Sequence, residues 1–243
     1  MRAMANSLQD ATVVVIGGSS GIGLATAQLA VNAGAQVTIV GRDQQRLDNA
    51  RKSLGDNARG VSLDVADEAA VRDLFAGFDH VDHVAILAGS HVHGLIADVP
   101  TDDLRGPVDN RFWGPVFVCK YAPPKMTGGS ITITTGAGVA RPRGGAAIVS
   151  AACAGSETLA IAMASELAPV RVNVVRPGIV DTPLLDRLAP GANRDDILQA
   201  MTKRIPLRRA AQPEEIAEGY IFLMTNSYVT GTILTIDGGS TIS

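Results

Sequence analysis

The chain has little of several things. Only two of its 243 residues are cysteine, Cys119 and Cys153, one is tryptophan, and 4% are aromatic. Two cysteines cannot make a disulfide scaffold, and they lack the partners and spacing of a zinc site, as expected of a chain in a reducing cytoplasm. Positive charge is not in excess: 21 Lys and Arg stand against 24 Asp and Glu, a net charge of −3. There is therefore no global attraction to nucleic acid or anionic lipid, and a small-molecule ligand is the better expectation. The first apolar run, Val13 to Ile16, stops at Gly17, too early for a secretory core. No stretch approaches the roughly 18 uncharged apolar residues of a membrane span. Repeats, low-complexity tracts and Pro/Ser linkers are missing too. These absences predict a soluble, unprocessed, cytoplasmic protein, and 46% hydrophobic residues suffice for one large core.

What is present is an alternation. Short β-branched runs at Thr12–Ile16, Gln36–Val40, Gly60–Leu63, Val81–Leu87, Ser130–Thr134, Arg171–Val175 and Thr232–Thr235 read as strands. Between them, helical periodicity covers Gly21–Ala33, Gln44–Leu54, Glu68–Ala76, Thr101–Tyr121, Val149–Ala168 and Pro213–Met224. That order predicts an α/β fold: residues 1–243 as a single doubly wound (Rossmann) domain, a parallel seven-stranded sheet with helices on both faces. The stretch Leu184–Arg209 breaks the pattern. It is interrupted by Ala189-Pro190-Gly191 and ends in Lys203, Arg204, Arg208 and Arg209, and is expected to be a substrate lid at about 184–210, the alternative being a solvated insertion.

Directly after the first strand comes Gly17-Gly18-Ser19-Ser20-Gly21-Ile22-Gly23, and the first helix begins inside it. Glycine lets the backbone turn tightly and approach a diphosphate, while the helix N-terminus offers unpaired N–H groups and a positive dipole end. Its place between a strand and a helix predicts a dinucleotide site, the alternative being a tight strand-to-helix connection with no ligand. Arg42 ends the second strand where a NAD site usually has a carboxylate for the ribose 2′-hydroxyl, and a guanidinium suits a 2′-phosphate instead. NADP(H) is therefore expected over NAD(H), although Asp43 is adjacent. Asp64-Val65 follows the third strand, and Asp64 has two readings: a contact to adenine, or, like Asp67, a helix cap.

Together these residues resemble the short-chain dehydrogenase/reductase family over nearly the whole chain. The run VVVIGGSSGIG is similar to that family's TGxxxGIG turn, with Ile16 where Thr is usual. Ala88-Gly89 resembles the end of its NNAG element, and Asn110 the structural asparagine of its fourth helix. Asn173 and Pro177-Gly178-Ile179-Val180-Asp181-Thr182-Pro183 resemble its element around the nicotinamide, and YVTGTILTIDGG its last strand. The resemblance implies cofactor contacts from Gly17, Ser19, Ser20, Gly21, Ile22, Gly23, Arg42, Asp64, Val65, Ala88, Gly89, Pro177, Gly178, Ile179, Val180 and Thr182. It also implies a homodimer or homotetramer, because the family often pairs its fourth and fifth helices.

The departure lies in the chemistry. The family's serine, and its Tyr and Lys spaced YxxxK, fall on Thr135, Val149 and Cys153. The usual proton donor is missing. Thr135 is expected to polarise a carbonyl, and His91 or His93, after the fourth strand, to replace the proton donor, with Asn110 completing the catalytic set. For the histidines a merely structural role stands as an even alternative, and Cys153 reads better as a buried small residue than as a reactive thiol. Arg141 and Arg143 are either a clamp for a substrate carboxylate or phosphate, or solvated charge. The leading expectation is hydride transfer from NADP(H) to a small carbonyl, imine or activated alkene. The alternatives are a degenerate NADPH-binding sensor or partner protein, and a redox-neutral dehydratase or isomerase. No metal is expected.

Overall fold

The computed structural model describes residues 7–185, 191 and 193–243. Its strands are β1 (Thr12–Ile16), β2 (Gln36–Gly41), β3 (Ala58–Ser62), β4 (His83–Ile86), β5 (Ser130–Thr134), β6 (Arg171–Pro177) and β7 (Ile233–Ile236). They form one seven-stranded sheet in the order β3-β2-β1-β4-β5-β6-β7, and every pairing is parallel. In β1 the apolar residues run without alternation because both faces are covered. Val13 and Val15 join a cluster with Ile39, Leu47 and Tyr220, while Val14 and Ile16 join the opposite one with Phe75, Ile86 and Ile131. Side chains alternate sides along a strand, so one run feeds both cores.

The connecting helices are α1 (Gly21–Asn32), α2 (Gln44–Leu54), α3 (Glu68–Ala76), α4 (Thr101–Val108), α5 (Gly114–Tyr121), α6 (Ala147–Glu166), α7 (Arg194–Thr202) and α8 (Pro213–Thr225). Asp43 opens α2 by accepting the Arg46 N–H, and Leu47, Ala50 and Leu54 then bury one stripe. Asp67 opens α3 in the same way, accepting from Ala69 and Ala70.

The expected fourth helix, Thr101–Tyr121, is not continuous. A π-helical turn, Asp109–Trp113, separates α4 from α5. Pro115 has no N–H to give the Arg111 carbonyl one turn back, and that oxygen instead accepts the Ser156 hydroxyl from α6. Within Leu184–Arg209, Asn193 caps a helix, α7, that the periodicity did not mark. Residues 186–190 and 192 of the expected lid lie outside the described residues.

By length and composition, α6 is the one described helix apolar enough to cross a membrane, a pattern that the run-length reading passed over. It packs on β5 and β6, with Glu157 in a buried ion pair to Arg176.

Candidate functional site

The chain leaves β1 toward β2 and β3 on one side and returns through β4 on the other, so a crevice forms at the carboxyl ends of β1 and β4. A cavity of ≈ 1050 Å³ opens there. Its floor is the glycine turn. Gly17 has φ +93, and a Cβ there would lie 2.6 Å from the Ala88 backbone nitrogen. A Cβ on Gly23 would collide with the Gly17 carbonyl oxygen. Both positions therefore require glycine. Ser20, the N-cap of α1, makes no side-chain hydrogen bond to the first turn, which leaves those N–H groups to a ligand.

At the end beyond β2, Arg42, Asp43 and Arg46 line the cavity. The Asp43 carboxylate is engaged by its own helix, accepting the Arg46 N–H at 3.0 Å with the Arg46 Nε at 3.4 Å. It thus has less to offer a ribose hydroxyl than its position in the sequence suggests. Arg42 Nη1 stands 3.6 Å from Asp64 Oδ2 and stays largely exposed. Asp64 accepts N–H groups from Ala66 at 3.0 Å and Asn110 Nδ2 at 3.2 Å, whereas the cap of α3 is Asp67. Ser19, Ser20, Ile22, Val65, Ala88, Gly89 and Asn110 also line this cavity, as do Pro177, Gly178, Ile179, Val180 and Thr182 after β6. Thr182 sits over the glycine turn, its Cγ2 3.2 Å from where a Cβ on Gly21 would be. Asn173 faces elsewhere, holding the Val229 carbonyl and the Thr232 N–H beside β7.

The catalytic expectations fare unequally. Thr135 lines the cavity, but its hydroxyl donates to Glu157 Oε1 at 2.8 Å. Glu157 is itself gripped by Arg176, Nε to Oε1 at 2.9 Å and Nη2 to Oε2 at 2.6 Å. The single proton of Thr135 is thus directed to Glu157 and not to the cavity. Of the two histidines, His91 lines the cavity and His93 does not. The His93 ring packs on the Gly145 backbone, with Cε1 2.8 Å from where a Cβ would be.

Val149 and Cys153, at the positions where Tyr and Lys are usual, do not line the cavity. Burial pushes the Cys153 thiol up, and the Arg111 guanidinium offsets this only in part. Cys153 is therefore not a ready nucleophile.

Sequence reasoning assigned no role to Ser150, whose buried side chain lines the cavity one turn before Cys153, or to Glu157. Arg111 lines the cavity as well. The π turn carries Asn110 and Arg111 side by side into the interior, both under a tenth exposed. A continuous helix would have spread consecutive residues about 100° apart. The expected lid contributes Leu184, Leu185, Lys203 and Arg204 to the cavity wall, and Arg141 and Arg143 lie on the same rim.

Comparison with known proteins agrees with this geometry. Residues 16–241 match the family model described as Enoyl-(Acyl carrier protein) reductase. A short-chain dehydrogenase/reductase of Acremonium, ucsE, is 32% identical over 98% of this chain and 98% of its own. Among solved structures, the MalC Reductase/Diels-Alderase of Malbranchea aurantiaca superposes with a TM-score of 0.91 at 30% identity, covering 99% of this chain and 100% of that one. L-sorbose reductase of Gluconobacter frateurii, solved with NADPH and L-sorbose, gives a TM-score of 0.89 at 26% identity over 98% of this chain and 99% of that one. With the dinucleotide turn, the parallel sheet and these matches over nearly its full length, the chain belongs to the short-chain dehydrogenase/reductase family and is an oxidoreductase by kinship.

Proposed function

We propose that this protein is an NADP(H)-dependent reductase acting on a small carbonyl, imine or activated alkene through an active site that does without the Tyr/Lys pair. The observation that carries the proposal is the glycine turn on the floor of the cavity, where Gly17 and Gly23 pack backbone against backbone too closely for any Cβ and the first-turn N–H groups of α1 have no side-chain cap. The residues present fit the dinucleotide. The first turn of α1 would hold the diphosphate, and Arg42 with Arg46 would meet a 2′-phosphate. Asp64 and Val65 would flank the adenine, Ala88 and Gly89 the second ribose, and Pro177 to Thr182 the nicotinamide, all of them on the cavity wall. When bound, this cofactor supplies a hydride.

The chain's own residues then have to orient the substrate, exclude competing groups and manage charge. Proximity and orientation contribute to rate separately from any acid, which adds roughly 10²–10⁴-fold. A site lacking the standard donor thus still suits a substrate activated by conjugation or by its own positive charge. MalC is described as a reductase and Diels-Alderase, which agrees with chemistry beyond simple ketones in a chain of this kind.

The test is direct. NADPH and NADH are titrated by calorimetry, and NADPH oxidation is followed at 340 nm with a panel of ketones, imines and quinones. NADPH binding at least about tenfold tighter than NADH, with turnover of one class, is the expected result. Tight binding without turnover of any member favours the sensor reading, for which the absence of Val149 and Cys153 from the cavity wall speaks. No binding of either nucleotide defeats both.

A further inference from the structure

Burial of a charge is costly unless a partner neutralises it. Three arginines face this problem here. Arg176 meets the carboxylate of Glu157. Arg171 gives its guanidinium to the carbonyls of Leu223, Met224 and Val229. Arg111, only 9% exposed, has no carboxylate among the described residues and only one carbonyl. Its Nε donates to the Ser90 carbonyl at 2.9 Å, Nη2 to His91 Nε2 at 2.6 Å, and Nη1 reaches the Cys153 sulfur at 3.8 Å. Sulfur is a weak acceptor, and two of the five guanidinium N–H groups remain. Among the described residues no carboxylate stands in ion-pair contact with it, and it lines the cavity.

The surroundings are shaped to hold this cation. Gly89 leaves room for it, since a Cβ there would lie 2.7 Å from Arg111 Cζ. The π turn aims the side chain inward, and Ser156 takes the backbone carbonyl that Pro115 leaves unused. Its Cys153 contact also brings the charge next to the position where the family's lysine would have put one. Because a guanidinium only donates, His91 Nε2 must offer Arg111 a lone pair and has no proton there to give away.

We propose that Arg111 is a catalytic residue: its guanidinium binds the carbonyl oxygen of the substrate and stabilises the negative charge that reduction places on it. The inference rests on the reductase reading above. In the step, the carbonyl carbon gains a hydride from the dihydronicotinamide and the C=O π pair moves onto oxygen. The alkoxide, held by Arg111, then takes its proton from water in the open cavity. Donors fixed in advance on such an oxygen are worth more in a partly buried site than in water.

The experiment uses the full chain and the variants Arg111→Met and Arg111→Lys, with acetate as a probe for a negatively charged oxygen. Acetate is titrated by calorimetry with and without NADP⁺, and turnover is measured on the best carbonyl of the panel. The wild type is expected to take up acetate. Arg111→Met should weaken that uptake by at least about tenfold and lower kcat by about 10²–10³-fold, while NADPH binding stays within about threefold. Arg111→Lys, which keeps the charge but not the planar fork, should fall between. If Arg111→Met does not fold, Arg111→Ala is assayed with added guanidinium ion, and recovery of turnover is expected. Unchanged kcat or acetate uptake in Arg111→Met, a wild type indifferent to acetate, or a folded Arg111→Ala that guanidinium does not rescue overturns the proposal. Failure of NADPH to bind the wild type defeats the reductase reading instead, and acetate uptake that depends on Arg111 without nucleotide shows the two failures apart.

Discussion

At Arg42 the chain carries a guanidinium at the end of β2, beside an Asp43 carboxylate that its own helix has engaged. A 2′-phosphate there would form charge-assisted hydrogen bonds, each worth about 1.5–3 kcal/mol. Arg42→Ala should therefore weaken NADPH binding by about 10–100-fold and leave NADH within about threefold, as read by calorimetry. Equal losses for both nucleotides would remove the charge argument.

His83 shows a second single-residue effect. It is buried in β4 against Ser130, with its Nδ1 2.9 Å from the hydroxyl. Burial lowers its pKa to about 4, assisted by Arg171 and opposed by Asp82. The unfolded chain, with a histidine near its ordinary value, binds this proton first as pH falls. Stability from this group is therefore complete above about pH 6.5 and is lost progressively down to about pH 4, amounting to roughly 3 kcal/mol. Thermal melts across that range should show His83→Asn losing less stability on acidification than the wild type. Parallel curves for the two proteins would assign the acid loss elsewhere.

Among the elements, α6 ties the most together. From its middle, Glu157 reaches Arg176 on β6 and Thr135 after β5, so one carboxylate joins a helix to two strands below the cavity. Breaking a buried pair by removing one partner leaves a bare charge. Glu157→Ala should cost about 3–5 kcal/mol in denaturant unfolding, and a loss below about 1 kcal/mol would mean that Arg176 finds another partner.

Elements of this kind also mark where the sequence could be read. Strands β1 and β5 and helices α2 and α3 begin and end where patterning places them, because period-two or 3.6-residue repeats and Asp caps are local signals. The glycine turn was legible for the same reason. The π turn was not, since its cause is a proline whose missing N–H matters only once Ser156 arrives from α6. Nor could any local pattern show that Thr135 donates inward to Glu157, 22 residues away in sequence, or that Arg111 rather than His93 stands in the cavity.

For the whole molecule, the question is what covers the outer surface of α6. The helix is apolar on nearly every side, yet its inner side alone meets β5 and β6. Ile161 is 50% exposed on it and Trp113, on the π turn packed against it, 47%. Trp113 does not stand alone: it stacks on Phe117 with centroids 5.9 Å apart and meets Phe112 edge-on at 5.7 Å. A helix apolar beyond the stripe its own sheet covers is stabilised when a second surface removes the remainder from water. We propose that the occupant is the one the family resemblance implies, a second copy of this chain presenting the same helix, so that a twofold axis would bring Ile161 toward its counterpart. Light scattering should then find a dimer or tetramer at micromolar concentration, with a Tm that rises with protein concentration. Ile161→Lys, which puts like charges across the axis, should give a monomer that still binds NADPH. A wild type that is monomeric throughout, or a lysine variant that assembles unchanged, would place the contact on another face and leave the apolar surface of α6 to a different partner.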